Sequence, residues 1–130
     1  MGQQQLLLII LGVIIVGIAV VVGLNVFQAN SVQANRDAVI ADLNTLGSMA
    51  QQYYKKPAEL GGGGNAFTNW KIPANLASTG NGTYAATVTA ATVTIVGTGT
   101  ELGEDGKNKV KVTMVVDPSK AKPFAVTINN

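Results

Sequence analysis

The 130-residue chain contains no cysteine and no histidine. These two absences exclude disulfide bonds, thiol nucleophiles, Cys/His metal sites and acid–base catalysis by histidine. Charge is scarce as well, since only 12% of the residues are charged and the formal net charge is +2. Lysines that do not cluster among aromatic side chains do not favour nucleic-acid binding. A small domain without disulfides must be held together by its core or by neighbours in an assembly.

Charge is missing altogether from the start of the chain, where the first charged side chain is Arg36. Leu6 to Leu24 is almost purely apolar and, as a helix, would be about 28 Å long, which is close to the thickness of a bilayer core. A cleaved signal peptide would have a basic residue before a shorter apolar run, and neither feature occurs here. A single-span membrane anchor explains the run but not the sequence that follows it.

Apolar residues return with helical spacing after Phe27. The seam, as we name this set, consists of Val32, Val39, Leu43, Leu46, Ala50 and Tyr53. Such a narrow apolar stripe predicts an amphipathic helix. No proline interrupts residues 1–56, two lysines at 55 and 56 suit a helix C-terminus, and Pro57 ends the helix. We therefore predict one N-terminal helix within residues 1–56, apolar on all sides over 4–27 and amphipathic over 28–56.

The middle of the chain, residues 57–82, is rich in Gly, Asn and Pro, which predicts a connecting loop with turns. The four glycines at 61–64 lack the Lys-Ser or Lys-Thr pair that a phosphate-binding loop requires. The loop has four apolar anchors, Phe67, Trp70, Ile72 and Leu76. We expect these side chains to cover the seam, and a ligand pocket around Trp70 is the alternative.

The remainder, residues 83–130, alternates apolar and polar residues and is rich in β-branched side chains. Four strands are predicted, at 83–89, 92–98, 109–116 and 124–129. Alternation in the third strand is typical of an antiparallel sheet with one covered face. Asp105-Gly106 is a hairpin signal. The predicted fold class is α+β, with a long N-terminal helix packed on a four-stranded antiparallel sheet.

Few residues are candidates for chemistry. Glu101, Glu104 and Asp105 are close in sequence, but their spacing matches no calcium-binding loop, and a solvated turn is the simpler interpretation. Asn81 begins an Asn-Gly-Thr sequon and is therefore a candidate glycosylation site, although such matches often arise by chance. The sequence has no nucleophile–base pair and no metal-ligand set, so we predict neither an enzyme nor a bound cofactor.

The stretch "GQQQLLLIILGVIIVGIAVVVG" (residues 2–23), followed by the seam, a Gly-rich loop and a sheet, resembles a type IV pilin or a pilin-like protein. Its glutamines are similar to the start of archaeal-type pilins. In that family a peptidase cuts after a glycine before the apolar run, so the resemblance implies a processing site at Gly2 and Gln3. The sequence departs from the bacterial pattern, because no Lys or Arg precedes the run and no carboxylate occurs in the first 36 residues.

The resemblance also implies a function: the major structural subunit of an extracellular helical filament, with roles such as adhesion or motility. The subunit would lie in the cytoplasmic membrane before assembly, and pilus machinery with a separate ATPase would assemble it into a homopolymer on the cell surface. The helix residues implied in filament-core packing are Leu6, Leu7, Ile10, Val13, Ile14, Gly17, Val20, Val21 and Leu24. The alternative is a single-span membrane protein or a pseudopilin of a secretion system.

Overall fold

The computed structural model describes residues 2–130. Its elements, in chain order, are helix α1 (Gly2–Lys55), a 3-10 turn (Ala58–Leu60), the short helix α2 (Ala74–Ala77) and strands β1 (Ser78–Thr79), β2 (Gly82–Val88), β3 (Val93–Leu102), β4 (Lys109–Val116) and β5 (Phe124–Ile128). This element order and the packing described below confirm the α+β fold class predicted from the sequence. The chain divides into two compact units, Met1–Ser31 and Val32–Asn130.

The described part of the first unit is helical throughout. Its large apolar side chains between Leu6 and Phe27 are 52–69% exposed. A surface helix of a globular protein would have a polar side, whereas this one has none over that stretch. By length and composition, α1 can cross a membrane here.

In the second unit, the rest of α1 lies against one face of the sheet. The strands form a meander in the order β1-β2-β3-β4-β5, and all four pairings are antiparallel. Every second residue of β4 is buried under the helix, as the alternation in its sequence predicted. The fully buried side chains between helix and sheet include Val39, Leu43, Val93, Ile95, Val110, Val112, Met114 and Val116.

The chain between α1 and the sheet covers the rest of this core. Phe67 and Trp70 are buried in it, and Ile72 and Leu76 pack against it. The Phe67 ring centroid lies 4.8 Å from that of Tyr54. The four apolar anchors thus belong to, or pack against, the same core cluster as the seam residues.

The glycine run at 61–64 caps the end of α1. The Gly63 amide donates to the Tyr53 carbonyl at 2.8 Å, and the Asn65 amide donates to the Tyr54 carbonyl at 2.7 Å. Gly61 and Gly64 have φ values of 86° and 59°, the left-handed region that glycine favours. Two of the carbonyls that a helix C-terminus leaves without partners are thereby satisfied.

The structure differs from the prediction in the number of strands and in several boundaries. The sheet has five strands rather than four, because β1 pairs with β2 through Ser78↔Thr83 and Thr79↔Gly82. A two-residue strand contains no alternation to detect, and so it lay hidden in the predicted loop 57–82, together with α2 and the 3-10 turn. Strand β3 continues to Leu102, four residues past its predicted end at 98. The helix bounds differ from 4–56 by two residues at the start and one at the end.

Gly97 in β3 allows α1 to approach the sheet closely. A Cβ atom added at this position would lie 2.7 Å from Val39 Cγ1 and 2.9 Å from Tyr84 Cε1. Both of those neighbours are themselves buried. The glycine, which is otherwise a poor strand residue, therefore fits a place where a helix side chain occupies the space of a strand side chain.

We predict that Gly97→Ala destabilises the fold by about 1–3 kcal/mol, the usual cost of overpacking a close-packed core. Gly80→Ala is the matched control, because a Cβ atom at Gly80 meets nothing within 4 Å. Denaturant unfolding of the full chain in mild detergent, followed by the fluorescence of buried Trp70, measures both changes. Equal free energies of unfolding for the two variants would contradict the close packing at Gly97.

Candidate functional site

The first candidate surface is the apolar segment, which we define as Leu6–Leu24. All nine residues that the resemblance implicates in core packing lie in it and are exposed: Leu6, Leu7, Ile10, Val13, Ile14, Gly17, Val20, Val21 and Leu24. Exposed apolar surfaces larger than a few hundred Å² mark membrane or protein contacts. The proposed processing residues, Gly2 and Gln3, lie in the first turn of α1 and are also exposed.

The seam has a different environment. Its members Val39, Leu43, Leu46 and Ala50 are buried against the sheet unit, while Val32 and Tyr53 at its ends are partly buried. The Tyr53 hydroxyl donates to the Thr68 carbonyl at 2.6 Å. The seam is therefore covered within the chain itself.

A polar cluster beside the seam fixes α1 to the first hairpin of the sheet. Asp42 Oδ2 accepts hydrogen bonds from Tyr84 Oη at 2.6 Å, from Thr79 Oγ1 at 3.1 Å and from Asn81 Nδ2 at 3.1 Å. The donors come from β2, from β1 and from the turn between them. Because hydrogen bonds to a charged acceptor are stronger than neutral ones, this carboxylate sets how the helix lies on the hairpin.

The cluster also changes the titration of its members. Burial acts to raise the pKa of Asp42, but the hydrogen bonds from Tyr84, Asn81 and Thr79 together outweigh it, and the pKa is lowered. Burial, together with the hydrogen bond to Asp42, raises the pKa of Tyr84. Asp42 therefore stays an ionised acceptor, and the Tyr84 hydroxyl stays a donor, over the neutral pH range.

The candidate glycosylation residue belongs to the same cluster. Asn81 is half-buried, and its Nδ2, the atom that would bear an N-linked glycan, donates to Asp42. Its backbone carbonyl accepts a hydrogen bond from Asn35 Nδ2 at 2.9 Å. A glycan at Asn81 would replace one of the two hydrogens on the atom that contacts Asp42.

Asn35, seven residues before Asp42, connects α1 to the sheet at a second point. Its Oδ1 accepts hydrogen bonds from the backbone amides of Thr100 at 3.1 Å and Glu101 at 3.3 Å. These amides lie where the pairing of β3 with β4 shifts register between Thr98 and Leu102. A register shift leaves backbone amides and carbonyls without partners in the neighbouring strand. Asn35 Oδ1 is the acceptor for two such amides.

Arg36 is the one charged side chain among the buried residues described. It is 7% exposed, and its Nη2 lies 3.2 Å from Glu104 Oε1. Its Nη1 donates to Gln33 Oε1 at 3.3 Å, and its Nε has no hydrogen-bond partner within residues 2–130. The guanidinium thereby connects α1 to the turn between β3 and β4.

No structural role was predicted from the sequence for Asn35, Arg36, Asp42 or Gly97. The sequence did contain a signal for Arg36. The seam residues at 32, 39, 43, 46, 50 and 53 follow a series with alternating steps of four and three residues, and position 36 belongs to the same series. Asn35 and Asp42 each directly precede a position of this series. Polar residues that flank an apolar stripe at seven-residue spacing are typical of a helix whose sides form hydrogen bonds with the neighbouring element.

Two carboxylates of the acidic turn, those of Glu104 and Asp105, are used in contacts within the second unit. The Asp105 carboxylate accepts hydrogen bonds from the backbone amides of Asn108 and Lys107 and from the side-chain amides of Asn108 and Asn130, and these bonds lower its pKa. Glu104 pairs with Arg36. Within residues 2–130, no group of three or more His, Cys, Asp or Glu side chains is arranged to hold a metal ion.

Trp70 belongs to the hydrophobic core. A cavity of about 20 Å³ lies elsewhere, lined by Asp42, Thr45, Leu46, Leu76 and Thr79. That volume holds one water molecule, which is too little for an organic ligand.

No protein-family model, no curated protein and no solved structure matches the chain. The chain itself offers two surfaces for a function. These are an uncharged helical segment that is exposed on every side and a sheet unit whose seam is already covered.

We predict that Asp42→Asn lowers the free energy of unfolding by about 1–2 kcal/mol near neutral pH, less than the full worth of its charged hydrogen bonds because the site is only half-buried. The folded pKa lies below the ordinary value of 3.8. The ionised carboxylate thus stabilises the fold above that value, and this contribution is lost as the pH falls through the lower folded pKa.

The measurement is denaturant unfolding of the wild type and the variant across the acid range. We expect the difference between them to shrink below about pH 4. Asp37→Asn is the control, because Asp37 is an exposed carboxylate of the same helix whose side chain contacts only its own helix, through Gln33. A difference that persists unchanged into acid would contradict the assigned role of Asp42.

Proposed function

We propose that the chain is the structural subunit, the major pilin, of a type IV pilus-like extracellular filament. The proposal is carried by one observation: α1 changes from a segment that is apolar and exposed on all sides to a half whose apolar stripe is covered by the chain's own sheet. The first part is suited to contacts outside the subunit. The second part holds the domain that the filament would display.

The physical need for a partner follows from the apolar segment. Burying one large apolar side chain is worth about 1.5–3 kcal/mol relative to water, and the segment carries a continuous series of them. A chain with this segment bare in water would be driven to cover it. The two coverings in this proposal are the cytoplasmic membrane before assembly and identical helices in a homopolymer afterwards.

Transfer from lipid to a filament core needs a different source of free energy. Lipid tails are already apolar, so the hydrophobic gain is small and close packing between helices must replace it. Gly12, Gly17 and Gly23, and the pair Ala19 and Gly23, supply small residues of the kind that permit such packing. Pilus machinery with a separate ATPase would extract the subunit from the membrane.

Processing and display belong to the same proposal. Cleavage after Gly2 would make Gln3 the first residue of the mature subunit. The face of the sheet away from α1 carries polar residues such as Lys109, Lys111 and Thr113. In a cell-surface filament this face would contribute to adhesion or motility.

The competing proposal is a single-span membrane protein or a pseudopilin of a secretion system. It is favoured by the same ability of α1 to cross a membrane. The two proposals require different properties of the apolar segment. A membrane anchor needs only an apolar surface, whereas a filament core also needs residues that let neighbouring helices approach closely.

We predict that Gly17→Leu leaves the subunit in the membrane but abolishes its appearance in sheared surface filaments. A Cβ atom at Gly17 meets nothing within 4 Å in the single chain. The substitution therefore causes steric clashes only where another molecule packs closely against this position. The added leucine keeps the segment apolar and thus able to insert. The measurement compares the membrane fraction with the sedimentable sheared fraction by quantitative immunoblotting.

Ile18→Leu is the matched control, since it conserves both volume and apolarity at the next residue. We expect the control to assemble as the wild type does. Normal filament yield from Gly17→Leu would refute close packing at this glycine. Wild-type protein that is confined to the membrane would instead favour the single-span anchor.

A further inference from the structure

On β5, the apolar face of the sheet extends beyond the helix that covers it. Val126 pairs with Met114 of β4, and Ile128 pairs with Val112. Directly paired residues point to the same face of a sheet. Met114 and Val112 are 0% exposed beneath α1, whereas Val126 is 41% and Ile128 is 52% exposed. We call Val126 and Ile128 the β5 strip.

The width of the sheet accounts for this uncovered strip. Five strands spaced about 4.8 Å apart span roughly 19 Å, while one helix with its side chains is about 10–12 Å across. On the side of β1 and β2, Leu76 packs against the core and lies near Leu46 of α1 and Thr79 of β1. The exposures of Val126 and Ile128 show that the corresponding place over β5 is open.

The open place runs alongside α1. At one end, the Phe124 ring lies against Gly47, where an added Cβ atom would be 3.4 Å from Phe124 Cε1. At the other end, Ile128 pairs with Val112, which pairs with Gly97 beneath Val39. The strip therefore follows about two turns of α1, from the level of Gly47 to that of Val39. A second helix laid beside α1 would cover it.

Strand β5 also lacks the usual protection of a sheet edge. Exposed edges normally carry charged residues, prolines or bulges that prevent contact with other chains. The sequence of β5, Phe-Ala-Val-Thr-Ile, contains no charge and no proline, and its pairing with β4 is regular. Such an edge is suited to being covered in an assembly.

We propose that the β5 strip binds the apolar segment of a second copy of this chain. The inference rests on the proposed filament function and names one of its contacts. The open place continues the helix–sheet interface beyond α1, and the two exposed side chains of the β5 strip are apolar. The apolar segment is a helix without charge that presents an apolar surface in every direction. Because strip and segment are different surfaces, the contact is heterologous, and in an open helical filament it would repeat from copy to copy.

Disulfide trapping tests this contact cleanly, since the chain has no cysteine of its own. Two versions with different tags are co-expressed, one with Val126→Cys and the other with a single cysteine placed in turn at each position from Leu6 to Leu24. Copper-phenanthroline then oxidises neighbouring thiols in the intact assemblies. We expect heterodimers that carry both tags at positions recurring every three to four residues, because one side of a helix faces the strip.

Thr127→Cys is the matched control. It is exposed on the same strand, but it pairs with Thr113 and lies on the opposite face of the sheet. We expect the cross-linked heterodimer to be lost when Thr127→Cys replaces Val126→Cys. Equal trapping by both cysteines would overturn the proposal.

Two further outcomes would also overturn it. Val126→Cys that links only to Val126→Cys would show that β5 edges pair with each other. A scan without heterodimers, in filaments where Val13→Cys chains do link to one another, would show that the segment packs only on other segments. The filament function would survive that second result, whereas the absence of both filaments and helix–helix links would remove the function and this inference together.

Discussion

The molecule depends on one physical constraint: a helix that is uncharged and apolar on every side cannot remain bare in water. Residues Leu6–Leu24 impose this constraint, and nothing in the first unit relieves it, because its described residues are exposed. The same helix then becomes amphipathic, so that its apolar stripe is covered by the sheet. A lipid bilayer or a bundle of identical helices would satisfy the first part, and the proposed function uses the two in succession.

The second unit requires that α1 lie on the sheet in one fixed position. Apolar packing of Val39, Leu43 and Leu46 stabilises the contact but does not by itself specify it, since hydrophobic surfaces tolerate sliding. Asp42 and Asn35 supply directional hydrogen bonds at two points seven residues apart on the helix. The absent side chain of Gly97 admits Val39 between them. Polar contacts at the sides of an apolar stripe thus determine register, while the stripe supplies most of the stabilisation.

The sequence predicted those features that depend on local periodicity. The long helix, its seam and the four longer strands follow from spacings of three, four and two residues, and Asp105-Gly106 marked the turn before β4. Strand β1 was missed because its two residues gain their structure from pairing with β2. Asp42 and Gly97 were missed because their roles depend on partners distant in the chain, Tyr84 and Asn81 for one and Val39 for the other. Arg36 lies between these two cases. Its place in the heptad series could be read from the sequence, but its burial could not.

The most direct test of the central claim is a helical reconstruction by electron cryomicroscopy of material sheared from the cell surface. The account predicts uniform thin filaments in which side-chain density identifies this chain, with residues 6–24 of several copies packed together along the axis. Density beginning at Gln3 would in addition establish cleavage after Gly2. If the chain stays in the membrane fraction and no filament contains it, the filament function is refuted, and a single-span membrane protein or a secretion component becomes the better account of the apolar segment.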